Sequence, residues 1–176
     1  MPDKLPLAPN AIHLVRTATQ TNLALSQMAD QKASILMGAT FVVFTIAIGQ
    51  ASRGQFTLSL LVLAASAFVA AMCAVMAILP SIGGPKATQT APNLLFFGVF
   101  SQLSEDEFAD RVLAELADDE RIYRTMLRDI HQNGMVLQHK KYRFLGLAYR
   151  VFLGGLTLTF ALFVWENRGL LASLRF

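Results

Sequence analysis

The sequence predicts an all-α membrane protein with three transmembrane helices, and three observations carry that prediction. Hydrophobic residues make up 54% of the 176 and charged residues only 15%, with a mean hydropathy of +0.46, a balance that suits lipid rather than water as solvent. Three apolar runs have the length needed to cross a hydrocarbon core about 30 Å thick. The basic residues gather on the segments that would share one side of the membrane.

Residues 1–32 are expected to form a cytoplasmic amphipathic helix. From Asn10 to Lys32, Ile12, Val15, Leu23 and Met28 recur among Thr, Gln and Ala in a weakly helical pattern that leads straight into the first apolar run. With Asp3, Lys4, Arg16, Asp30 and Lys32 ahead of it, that run does not have the flank of a secretory signal and is expected to be retained.

Residues 33–79 read as a transmembrane hairpin. The first span, Ala33 to Gly49, is uncharged; a polar break from Gln50 to Gln55, containing Arg53 and Gly54, is too short to fold alone and makes the next span antiparallel. The second span, Phe56 to Leu79, is again uncharged and is expected to stop at Pro80, reinforced by Ser81, Gly83, Gly84 and Pro85.

Residues 80–143 are expected to be a cytoplasmic helical segment. Its run from Asn93 to Phe100 is apolar but too brief to span, so it should pack at the membrane surface or against helices. Ser104 with Glu107 has the capping-box form, ahead of Phe108, Val112, Leu113 and Leu116. Asp118, Asp119 and Glu120 interrupt or expose the next turn; an apolar stripe through Ile122, Met126 and Ile130 follows, and Asn133-Gly134 predicts a turn or kink. Met135 to Arg143 should then lead as one helix into the third span, Phe144 to Trp165, whose single charge, Arg150, can snorkel to nearby headgroups. Residues 166–176 form the external tail.

Orientation follows from the Lys and Arg positions: Lys4, Arg16 and Lys32 precede the first span and eight basic residues lie between Lys86 and Arg143, whereas Arg53, Arg168 and Arg175 lie opposite. The amino terminus and the central segment should therefore face the cytoplasm and the tail the opposite side, which in a bacterial inner membrane is the periplasm.

Catalytic signals are not found. His13, His131 and His139 have no metal-ligand spacing, Cys73 sits in an apolar run as a small hydrophobe, Gly83-Gly84 and Gly154-Gly155 form no phosphate loop, and the serines have no partnered base. No metal, cofactor or enzymatic activity is expected, and the scattered charge of +3 does not indicate nucleic acid. The spans carry packing chemistry instead. Ser66, Ala70 and Ala74 on the second, and Ser34 and Gly38 on the first, have the four-residue spacing that lets helices approach closely, within one subunit or between subunits. Three spans enclose no aqueous pore, so conduction would require a homo-oligomer. Basic groups near the cytoplasmic mouth, Lys32, Arg128, Lys140 and Lys141, either anchor to lipid headgroups or receive an anionic ligand.

Three stretches, Ala29 to Gly38 (ADQKASILMG), Pro92 to Glu107 (PNLLFFGVFSQLSEDE) and Tyr123 to Gly155, resemble the membrane effectors of Pycsar, bacterial anti-phage systems that signal with cyclic pyrimidine nucleotides. The resemblance implies a neighbouring cyclase that makes cyclic CMP or cyclic UMP on infection, and an effector that responds by impairing the inner membrane, so that the infection aborts. The β-roll of the usual cyclic-nucleotide-binding domain has no counterpart here. Binding would therefore fall to the cytoplasmic helices, with Lys32, Arg128, Lys140 and Lys141 as ligand-binding candidates and an oligomer as the active state. A different reading is a small membrane adaptor that docks a cytoplasmic partner protein through Ile122, Met126 and Ile130.

Overall fold

A computed structural model describes residues 8–79 and 93–169. These form helices α1 (Ala11–Ser52), α2 (Leu58–Ile78), α3 (Phe97–Phe100), α4 (Glu105–Leu116) and α5 (Asp119–Val136), a π-helical segment (Leu137–Tyr142) and α6 (Arg143–Glu166). No strand occurs among the described residues. Three helical stretches are long and apolar enough to cross a membrane: Ala11–Ser52, Leu58–Ile78, and the run Asp119–Glu166 that contains α6.

The predicted polar break is shorter than its sequence. Helix α1 continues through Gln50 to Ser52, and the chain reverses at Gly54, whose φ of 83° belongs to the left-handed region that glycine enters without a Cβ penalty. Thr57 then caps α2, its hydroxyl accepting from the Leu60 amide at 3.3 Å. The predicted stop at Pro80, Ser81, Gly83, Gly84 and Pro85 lies outside the described residues.

The chain divides into two compact units, Met1–Ser26 with Pro80–Gln138, and Gln27–Leu79 with His139–Phe176.

In the first unit, Asn93 is buried and its amide donates to Asp129 Oδ1 and Gln132 Oε1, both at 3.0 Å, while its own oxygen accepts from the Leu95 amide. Asn93 thus ties the start of the 93–100 run to α5, and Val99 within that run is fully buried. Ser104 caps α4 by accepting from the Glu107 amide, and Glu107 reaches on to Arg111 at 2.7 Å rather than back to the cap. Thr125 on α5 donates to Glu115 on α4 at 3.0 Å. Asn22 of α1 donates to the Ile130 carbonyl. Two expectations change. The packed side of α1 here is Val15 and Asn22, while Leu23, like Met28 in the second unit, is exposed; on α4, Leu113 and Leu116 also project outward.

The turn expected at Asn133-Gly134 is absent: α5 runs through both residues, and the irregularity comes at Leu137–Tyr142, where the helix widens into a π-turn.

In the second unit, the buried residues of α1 are Ala29, Ala33, Leu36, Thr40 and Ala47, on one seam of three- and four-residue steps. The larger Ile35, Phe41, Val42 and Ile46 face outward. Water would expel such a surface, but lipid tails are as apolar as the side chains, so small residues that permit close approach occupy the inside. Thr40 stays compatible with that inside by donating its hydroxyl to the Leu36 carbonyl at 2.8 Å. Leu36, Ala74 and Ala148 unite α1, α2 and α6 in one core cluster, with Cys73 and Phe152 packed against it.

Candidate functional site

At the carboxyl-terminal end of α2, the π-turn brings two lysines into play. Lys141 reaches Asp30 of α1, its Nζ 2.8 Å from Oδ1 and 2.7 Å from Oδ2. Lys140 donates to the Leu79 carbonyl at 2.7 Å, where α2 has run out of its own amide donors. A cation at that end also complements the helix dipole. An α-helical continuation would advance each residue by 100°; the extra residue of a π-turn changes where these two side chains point. Lys32 is exposed, and its backbone carbonyl accepts from the Tyr149 hydroxyl at 3.5 Å, the long limit for such a bond.

The four basic candidates are not all in one unit. Lys32, Lys140 and Lys141 belong to the second, whereas Arg128 is part of α5 in the first. Arg128 forms no ion pair among the described residues.

At the amino-terminal end of α2, the chemistry is inverted. Glu166, the last residue of α6, accepts from the Leu58 amide at 3.0 Å, the Ser59 amide at 3.3 Å and the Ser59 hydroxyl at 2.6 Å. A carboxylate satisfies the free amides of a helix start and is favoured by its dipole.

Between these ends, α2 and α6 pack through small residues. Ala70 and Ala74 are fully buried, and Ser66 lies so close to Gly155 that a Cβ built there would overlap Ser66 Cβ and Oγ. Only glycine admits this approach. Ser34 and Gly38 behave differently: both are exposed on α1, and nothing lies within 4 Å of a Cβ placed on Gly38. Within the chain the packing of α1 belongs instead to Ala33, Leu36 and Thr40.

Gly155, Ser59 and Glu166 were not among the residues singled out from sequence for a role. Signals for them existed: a Gly-Gly pair within a span, and an acid directly after one. Among the described residues, no three or more His, Cys, Asp and Glu side chains come together as a metal site would require.

The family model described as the Pycsar effector protein domain, PycTM, matches residues 13–165. The chain belongs to the Pycsar effector family. The match takes in α1 from its third residue, both ends of α2, the first unit's short helices and all but the last residue of α6. It therefore includes every basic candidate and the Gly155 contact, while Glu166 follows directly after it. No curated protein and no solved structure matches the chain. As a Pycsar effector with three candidate spans, the chain is a transmembrane protein of a cyclic-nucleotide defence context.

Proposed function

We propose that the chain is an anti-phage effector that is activated by cyclic CMP or cyclic UMP from a partner cyclase, assembles as a homo-oligomer in the bacterial inner membrane, and impairs the integrity of that membrane. The family match across residues 13–165 carries the reading. The amino terminus and the 80–143 segment face the cytoplasm, where the nucleotide is made, in accord with the distribution of Lys and Arg.

The basic end of α2 supplies the physical route. Lys141 is a flexible point charge whose partner, Asp30, is a carboxylate on another span. A nucleotide phosphate is an anion of the same kind, and one that engages Lys141 displaces Asp30 and loosens α1 from the start of α6. Lys140 and Lys32 are further cations of the same unit for such a ligand; Arg128 is tested separately. Once released, α1 offers Ser34 and Gly38, both exposed among the described residues, as a close-approach surface for a neighbouring copy. Activity acts on the bilayer and no catalytic step is invoked.

Binding of the four cyclic nucleotides to the purified chain, measured by calorimetry, tests this reading. One cyclic pyrimidine should bind and cyclic AMP and cyclic GMP should not. Removing charge at Lys32, Lys140 and Lys141 together, and at Arg128 in a separate variant, should weaken that binding; unchanged affinity in both would overturn the assignment of the site. The adaptor reading draws less support, because Ile122, Met126 and Ile130 are all partly buried by their own chain.

A further inference from the structure

We propose that the cleft between the start of α2 and the end of α6 is a binding site for one phospholipid with an amine headgroup, a role that does not depend on how the chain is activated. The cleft holds about 730 Å³ and is lined in two zones. Leu63, Leu156 and Phe160 form an apolar wall, while Gln50, Gln55 and Glu166 stand among its polar residues. That division of chemistry is the division within a lipid.

Thr159 gives the cleft its depth. Its hydroxyl is buried and has no hydrogen-bond partner, whereas the neighbouring Thr157 hydroxyl donates to the Leu153 carbonyl at 2.8 Å. An unsatisfied hydroxyl within a membrane span is costly, and the groups lining the cleft supply no acceptor for it. From Glu166 to Thr159 the axis of α6 covers about 10 Å, and a headgroup layer is about 5–8 Å thick. With an ammonium at Glu166, the hydroxyl therefore comes a few ångströms inside the headgroup layer, within reach of a phospholipid's glycerol esters, whose carbonyl oxygens accept hydrogen bonds.

The rim selects the headgroup. Glu166 is the one charged residue lining the cleft, and its carboxylate, at the end of α6, is fixed by the Leu58 and Ser59 donors. It attracts an ammonium and repels a net anionic head. The side-chain amides of Gln50 and Gln55 make no hydrogen bond among the described residues and can donate to the phosphate of a zwitterionic lipid. On the side away from the rim, the Ser66 to Gly155 contact leaves no space for the lipid to pass between the helices. Phosphatidylethanolamine has the required set: ammonium, phosphate, ester and acyl chain.

The full chain in phosphatidylcholine nanodiscs, carrying traces of photoactivatable phosphatidylethanolamine or of the matching phosphatidylglycerol, tests the site by mapping the crosslinked peptides. The ethanolamine probe should label residues 57–63 and 156–167 about fivefold above the glycerol probe, and above the outward face of α1 at Phe41. Glu166→Gln should remove the headgroup preference. Thr159→Phe, which fills the cleft, should reduce labelling by both probes, and Gln55→Leu, which lies between helices and removes a phosphate donor, should lower labelling by the ethanolamine probe whether or not the other two variants fold. Equal labelling by the two headgroups, labelling no higher than at Phe41, or protection of these peptides by a crosslinked second copy would each overturn the proposal.

Discussion

The two ends of α2 are held by opposite means. At its start, Glu166 presents a carboxylate to two backbone amides and a hydroxyl; at its finish, Lys140 presents an ammonium to the Leu79 carbonyl while Lys141 pairs with Asp30. Each charge has the sign that the adjacent helix terminus favours. The difference lies in the partners. Backbone amides cannot swing away, so the Glu166 end is a fixed clamp, whereas the Lys141 and Asp30 pair joins two flexible side chains that a third charged group can separate. One end suits anchoring and the other suits switching.

Both ends depend on the middle closing, so the largest effect is expected there. Gly155→Ala puts a Cβ where Ser66 already stands and should destabilise the helix pair by about 1–3 kcal/mol. Unfolding in mixed micelles followed by circular dichroism measures it, and the double variant with Ser66→Gly should recover part of the loss. At the fixed clamp, Glu166→Ala should lower the unfolding midpoint more than Glu166→Gln, because glutamine keeps one acceptor oxygen; equal effects would show that charge rather than hydrogen bonding holds the end. Thr57→Ala, which removes the cap beside that clamp, should cost about 1 kcal/mol in the same assay.

The smallest effect on stability is expected at the switching end. Lys141 and Asp30 are only partly buried, so Asp30→Asn should cost no more than about 1 kcal/mol. Its effect on function should be larger in proportion: with its competitor gone, Lys141 should bind the cyclic nucleotide at a lower concentration than in the unaltered chain. A higher threshold in a binding titration would contradict the competition between carboxylate and phosphate.

Local signals in the sequence were readable where the cause was local. The three apolar runs, the Ser104 cap and the break before α5 depend on residues within a few positions, and the structure has helices and ends that follow from them. The inward face of α1 was harder to read. Large apolar residues mark the packed side in water, and lipid removes that rule, so the seam of Ala33, Leu36 and Thr40 gives a weak pattern beside Ile35 and Phe41. The gap after α1 also looked longer in sequence than in structure, because Gln50 and Ser52 are polar yet still helical. Gly134 suggested a turn because glycine so often ends helices, but a helix carried on at both sides absorbs one glycine at about 1 kcal/mol. The π-turn that replaced it has no comparable compositional mark.

At the candidate site, the basic residues were visible as charges and their partners were not. Lys141 and Asp30 are separated by 111 positions, and Glu166 and Ser59 by 107. Such pairs arise from the packing of whole helices that are distant in sequence. The same sequence pattern fits headgroup anchoring, ion pairing and ligand binding equally well. Only the placement of Asp30 beside Lys141 distinguishes a lysine already holding a carboxylate from one exposed to lipid phosphate.

Leakage of an encapsulated dye from liposomes containing the full chain, with cyclic CMP, cyclic UMP, cyclic AMP and cyclic GMP added in turn, tests the central claim most directly. Release with a single cyclic pyrimidine and with neither cyclic purine is the predicted result. No release with any of the four, together with no ion flux and no binding, would contradict it.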